Sequence, residues 1–197
     1  KAMEKLPAII MSATGSQDMG SAMAEAVLGI YAPAGRLNMT WYESIDQLPD
    51  IDDYDIIKGK RTYRYFDGKV LYPFGYGLSY TNFQYSDITL SAPTMGQDGS
   101  VTAMVTVTNT GKYDGAEVVQ LYIRDLVGSI TRPVKELKGF DKIFLKAGES
   151  KTVSFKITPE LLRFYDYELN YVADPGDFDI MIGGNSQSVK TTHLSLK

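Results

Sequence analysis

The sequence contains no cysteine and a single histidine in 197 residues. Without cysteine there is no disulfide, no thiolate zinc site and no cysteine nucleophile. One histidine excludes a histidine metal cluster. His193 shares strand parity with Thr191 and Ser195 and is expected to face solvent, which leaves no base for a serine-type triad. No apolar run approaches the roughly 18 residues of a membrane span. Lys and Arg number 20 against 24 Asp and Glu, a net charge of −4, and they are scattered. Nucleic acid and anionic membrane are therefore not expected partners, since both select for a basic stripe.

Two motifs are incomplete. "GSQDMGSA" has Gly15 and Gly20 at P-loop spacing, but Ser21-Ala22 stand where a phosphate-binding Lys and Ser/Thr would be needed. It reads as a strand-to-helix turn. Five acidic residues crowd the stretch from Asp46 to Asp55. Counted from Asp50 they offer neither the glycine nor the bidentate Glu of a calcium loop. No metal and no cofactor is expected.

What is present is an ordinary globular composition, 44% hydrophobic and 22% charged. Lys1 opens the chain with neither an initiator Met nor a secretory signal, which suggests a fragment or processed chain and leaves a cytoplasmic or an exported parent equally open. Ala8 to Met11 reads as a short buried strand. Met19, Ala22, Met23, Ala26, Val27 and Ile30 follow helical spacing, with Asp18 as a possible cap and Gly29 and Pro33 at the end. Leu37 to Trp41 alternates as an edge strand would, and "RTYRYF" alternates Tyr63 and Tyr65 against Arg64 and Phe66, predicting a strand.

From Phe83 the texture changes. Short alternating runs recur between turn signals: Tyr85–Leu90, Val101–Val107, Val118–Ile123, Lys142–Leu145, Thr152–Ile157, Phe164–Tyr167, Phe178–Ile182 and Thr191–Leu196. Such spacing without long helices predicts an antiparallel β-sandwich of the immunoglobulin-like kind, with "TPELL" as one helical turn. Glu117, Asp125, Glu136 and Asp141 are expected at strand ends, where charge keeps edges from pairing. "YPFGYGLSYTNF", residues 72 to 83, joins the two textures with five aromatic residues and two glycines. It reads as a bent segment wedged between two bodies.

"MGSAMAEAVLGIYAPAGRLNMTWY", "GKRTYRYF" and "YPFGYGLSYTNF" resemble the end of the α/β domain of glycoside hydrolase family 3. "VTVTNTGKYDGAEVVQLYIRD", "RPVKELKGFDKIFLKAGESKTVSFKI" and "PGDFDIMIGG" resemble the fibronectin type III-like domain that follows it in many members. The form "TWY…LP…DYDIIKGKRTYRYF" is most similar to the β-xylosidase-like branch, and Asn38 departs from the proline usual in the family at that turn.

The resemblance implies a partial α/β segment over residues 1–82 and a sandwich over 83–197. It also implies a retaining exo-β-glycosidase parent acting on xylosides, glucosides or arabinosides. Such an enzyme needs two carboxyl groups about 5–5.5 Å apart. In the family the Asp nucleophile lies on a barrel, and the Glu acid/base lies earlier in the α/β domain than this sequence reaches. No catalytic residue maps onto this chain, Asp18 and Glu25 included. The implied partners are the barrel, the rest of the α/β domain and, through the parent, a glycoside.

Trp41, Tyr42, Tyr63 and Arg64 are rim candidates, because sugars stack on aromatic faces and hydrogen-bond to Arg. Phe74, Gly75, Tyr76, Gly77, Tyr80 and Phe83 are candidates for an interdomain seam. The alternative is a stand-alone binding sandwich presenting an aromatic row drawn from Tyr113, Tyr122, Phe164, Tyr165, Tyr167 and Tyr171.

Overall fold

A computed structural model describes residues 5–12 and 15–197. Residues 8–12 carry no regular structure, correcting the strand expected at Ala8 to Met11. Ile9, Ile10 and Met11 are 52, 43 and 50% exposed. A strand needs a neighbour to take its backbone hydrogen bonds, and no described strand pairs with this segment. Helix α1 (Met19–Val27) follows. Asp18 occupies the N-cap position without a side-chain bond. Gly29, at φ +72°, ends the helix. The Gly29 N–H bonds Ala26 O and the Ile30 N–H bonds Glu25 O, a Schellman closure that favours glycine at this position.

The expected edge strand at 37–41 shrinks to β1 (Trp41–Tyr42), and a 3₁₀ turn (Ile45–Gln47) follows. The acidic stretch makes turns: Asp50, Asp53 and Asp55 carboxylates accept the N–H groups of Asp52, Asp55 and Ile57. Arg61 ties the loop down by donating to the Asp50 and Asp53 carbonyls at 2.7 and 2.6 Å. "RTYRYF" is no strand; it forms the single turn α2 (Thr62–Tyr65). Thr62, at φ +62°, turns the chain there, and its N–H donates to the Tyr42 hydroxyl at 2.9 Å. Tertiary anchoring thus overrides the alternation. Strand β2 (Val70–Tyr72) pairs antiparallel with β1.

The remainder is the sandwich. One sheet holds β3 (Phe83–Tyr85), β4 (Thr89–Leu90), β6 (Val101–Asn109) and β9 (Ser150–Ile157), with β6 pairing the other three. The run expected over Tyr85–Leu90 breaks into β3 and β4. On either side of β4 the Ser86 and Ser91 hydroxyls accept the Thr106 and Thr102 N–H groups, substituting side chain for ladder.

The other sheet runs β5 (Thr94–Met95), β13 (Val189–Leu196), β12 (Gly176–Gly183), β7 (Gly115–Asp125) and β8 (Glu136–Leu145) in spatial order. All its pairs are antiparallel except β5 with β13. The turn α3 (Pro159–Leu162) leads into a separate two-stranded ladder, β10 (Phe164–Tyr165) with β11 (Tyr171–Val172). Between the sheets lie Val105, Val107, Val119, Leu121, Ile143, Ile157, Phe178 and Ile180, none more than 2% exposed. Strand periodicity of two produces this arrangement, since alternate side chains of β6 and β7 enter one core.

Candidate functional site

The outer face of the five-stranded sheet is where residues 31–82 dock. On β7 the side chains of Val119, Leu121 and Ile123 enter the core, so those of Gln120, Tyr122 and Arg124 stand on the opposite face. Tyr122 is nevertheless fully buried. Phe74 and Tyr63 stack on each other with centroids 4.2 Å apart and meet the Tyr122 ring edge-on at 6.5 and 6.0 Å. Burial first, and then Tyr63, push the Tyr122 phenol well above its ordinary pKa. It therefore remains a hydrogen-bond donor, directed at Gln120 Oε1.

Gln120 Nε2 in turn donates to the carbonyls of Gly75 and Gly184, at 3.2 and 2.6 Å. Gly75 is required by this contact. It is buried, sits at φ +80°, and a Cβ there would fall 2.0 Å from Gln120 Oε1. Gly77 is similarly crowded, with the Gly35 carbonyl 2.3 Å from where a Cβ would stand. Tyr76 stacks on Tyr72 at 4.8 Å, Tyr80 donates to the Ala26 carbonyl at 2.6 Å, and Phe83 packs against the sandwich core. The seam residues thus bridge α1, the β1–β2 ladder and the sandwich.

The position of Glu117 is a correction. It does not shield a strand end; it is 4% exposed, on the core-facing parity of β7. Its carboxylate accepts from Arg36 Nη2 and, at 2.7 Å, from the Tyr85 hydroxyl. The Arg36 and Glu117 side chains are 9 and 6% exposed. Burial and the adjacent Glu117 charge hold the Tyr85 phenol far above its ordinary pKa, so it stays protonated and donates. Asp125 and Glu136 are engaged too. Arg132 Nε lies 3.8 Å from Asp125, and Glu136 meets Arg64 at 3.1 Å and Lys138 at 3.0 Å. Asp141 is exposed on the edge strand β8 but lies in mid-strand, not at the strand end expected for it. His193 is 77% exposed, with Nδ1 2.7 Å from Asp179.

The four rim candidates do not assemble on one surface. Tyr63 accepts the Leu137 N–H at 3.2 Å beneath its stack, Tyr42 packs edge-on against Phe66 at 4.9 Å, and Arg64 is held by Glu136. Trp41 leans on Tyr72 at 6.1 Å, and its Nε1 is buried without a hydrogen-bond partner. Only Tyr63 of the four lines the main cavity of the seam.

Of the proposed aromatic row, Tyr122 and Phe164 are buried, whereas Tyr165, Tyr167 and Tyr171 are exposed in and around the β10–β11 ladder, with the Tyr165 and Tyr171 rings tilted against each other at 4.9 Å, and Tyr113, also exposed, belongs to the turn between β6 and β7. Arg36, Gln120, Lys135 and Arg124 escaped the sequence reading. Of these, Gln120 carried a signal, a polar residue inside a run that is otherwise Val, Leu, Tyr and Ile. Among the described residues no group of three or more His, Asp or Glu could hold a metal ion.

The architecture is that of an immunoglobulin-like sandwich to which residues 31–82 are joined through the aromatic cluster of Tyr63, Phe74 and Tyr122. Residues 1–80 match the family model described as glycosyl hydrolase family 3 C-terminal domain, and residues 117–186 match the fibronectin type III-like domain. The chain belongs to glycoside hydrolase family 3.

It is 47% identical, over 98% of its length, to a periplasmic beta-glucosidase of Salmonella typhimurium, and 47% identical, over 88%, to a putative beta-xylosidase of Formosa agariphila. It spans 26% and 23% of those two proteins. Among solved structures, a beta-D-glucoside glucohydrolase of Trichoderma reesei superposes with TM-score 0.80 at 32% identity, covering 92% of this chain and 29% of that one. A beta-glucosidase of Listeria innocua, solved with gluconolactone, gives 0.76 at 34% identity, covering 90% and 26%.

Proposed function

We propose that this chain is the structural carboxyl-terminal portion of a retaining exo-β-glycosidase acting on xylosides, glucosides or arabinosides. In this reading residues 1–82 complete the α/β domain, residues 83–197 brace it, and the two catalytic carboxylates come from the barrel and the remainder of the α/β domain.

One observation supports it most. The segment from Ile9 to Ile30 presents Ile9, Met19, Val27, Leu28 and Ile30 at 43 to 75% exposure, while residues 31–82 are anchored to the sandwich by buried polar and aromatic contacts. A layer with an uncovered apolar face is half of a domain. The brace holds that half in place for its missing partner.

The test is an assay with nitrophenyl xyloside, arabinoside and glucoside. The chain alone is expected to turn over none of them, and joined to the barrel and α/β remainder of its parent it is expected to turn over at least one. Turnover by the chain alone that a carboxylate substitution within it abolishes would overturn the reading. So would an undiminished, equally stable parent from which residues 83–197 had been deleted.

A further inference from the structure

The hairpin of β10 and β11 inverts the usual arrangement of an exposed turn, which keeps its polar side chains outside. The Asp166 carboxylate points into the turn and accepts the Glu168 and Asn170 N–H groups, both at 2.9 Å, while the Asp166 N–H donates to the Asn170 carbonyl at 3.0 Å. Outside stand the alternate residues Tyr165, Tyr167, Leu169 and Tyr171, at 61, 84, 78 and 44% exposure. Leu169 lies at φ +63°, a conformation that a branched side chain disfavours. Strain of this kind persists only where the surroundings fix it, and here what it fixes is an apolar display.

The rings are held in place. Tyr165 and Tyr171 face each other across the ladder, with centroids 4.9 Å apart and planes inclined by 36°. Beneath them Phe164 is buried, with the Arg132 guanidinium 4.1 Å from its ring centroid, and Arg163 lies 5.8 Å from the Tyr171 ring. Among the described residues none of the Tyr165, Tyr167 and Tyr171 hydroxyls has a hydrogen-bond partner. The hairpin is also remote from α1. Strand β7 runs from Gly115 to Asp125, about 30 Å at 3.3 Å per residue. At its start a Cβ on Gly115 would fall 2.9 Å from Thr81 and 3.5 Å from Ala32, and the adjacent Tyr80 is tied to α1 through the Ala26 carbonyl. At its far end Asp125 meets Arg132, the residue that lies over Phe164. A surface that covers the apolar face of α1 therefore meets the chain at the opposite end of β7 from the tyrosines.

We propose that this hairpin binds a neutral oligosaccharide, with sugar rings laid on the Tyr165–Tyr171 pair and on Tyr167. A pyranose carries C–H groups on its faces and hydroxyls around its edge. A tyrosine offers the complement, an apolar ring face with a hydroxyl at its tip. The three unpartnered phenols favour a ligand rich in hydroxyls over an apolar peptide, and Asp166 and Glu168 in the turn disfavour a sugar acid or phosphate. The ligand class rests on the glycosidase reading above, but binding is measured without turnover, so the two fail separately.

Calorimetric titration of the 197-residue chain with xylohexaose and with cellohexaose tests it. At least one is expected to bind with a Kd of about 1 mM, and Tyr165→Ala and Tyr171→Ala are each expected to weaken it about fivefold. Tyr167 makes no ring contact in the fold, so Tyr167→Ala should melt at the temperature of the parent chain and still weaken binding. Tyr113, exposed in the turn between β6 and β7, is the control, and Tyr113→Ala is expected to bind as the parent chain does. No measurable binding of either sugar would overturn the assignment. So would binding unchanged in the folded Tyr165→Ala, Tyr171→Ala double variant, or weakened equally by Tyr113→Ala. Self-association of the chain that Tyr165→Ala abolishes would assign the surface to a second copy instead.

Discussion

Along β6 the inward residues Val101, Ala103, Val105 and Val107 are at most 1% exposed, whereas in and around α1 Val27, Leu28 and Ile30 are 66 to 75% exposed. Both stretches are written in the same apolar alphabet. The difference is that β6 finds its cover within the chain, in the facing sheet, while α1 buries only Ala26. An amphipathic pattern therefore states that a face will be covered, not by what. Between these extremes, residues 31–82 are held to the sandwich by a few specific contacts rather than by a broad apolar layer.

The largest expected effect breaks one of those contacts. Arg36 and Glu117 form a buried ion pair between the two regions. Removing one member leaves the other charge buried, which costs about 3–5 kcal/mol. Arg36→Met is expected to lower urea stability by that amount, read from the shift in midpoint at unchanged slope. A loss below about 0.5 kcal/mol, the range of an ordinary surface substitution, would mean that Glu117 finds other compensation and that the two regions are not coupled there.

A paired substitution sharpens the contrast in burial. Ile180 is 0% exposed in the sandwich core and Ile30 is 68% exposed. Truncating a buried isoleucine costs about 2–5 kcal/mol through lost transfer energy and the cavity left behind. Ile180→Ala is expected to fall in that range, and Ile30→Ala to stay within about 0.5 kcal/mol. Equal losses in a chain shown to be monomeric would place Ile30 against a surface of its own chain and erase the distinction.

The sandwich was legible because its strands carry period-two alternation over long runs. Turn chemistry such as "NTG" and "KAGES" separates them. The bend at Gly75 was legible from the glycine itself, which sits at φ +80° in close approach to Gln120. Two other features were not legible, for different reasons. "RTYRYF" alternates like a strand, yet contacts distant in sequence make it a turn: Tyr42 receives Thr62 and Phe74 stacks on Tyr63. Glu117 reads as a surface charge because its partner, Arg36, is 81 residues away.

The smallest effect concerns pH and separates two kinds of buried carboxylate in the sandwich. Asp125, at the end of β7, has a side chain only 5% exposed. Burial raises its pKa, opposed by the Val127 N–H at 3.1 Å and by the Arg132 charge, and the neighbouring Asp174 raises it further. A folded-state pKa above the unfolded one means that the folded chain holds this proton more tightly. Stability from the group is then greatest in acid and declines as pH rises from the ordinary carboxylate range through the raised value, above which the decline is complete. Asp125→Asn cannot ionise and removes the decline. In urea melts between about pH 3 and pH 7, the variant is expected to gain on the parent chain steadily as pH rises. A gain that instead shrinks towards neutral pH would show that attraction to Arg132 outweighs desolvation. Asp125 would then behave as a carboxylate held by its ion pair rather than as one that burial disfavours.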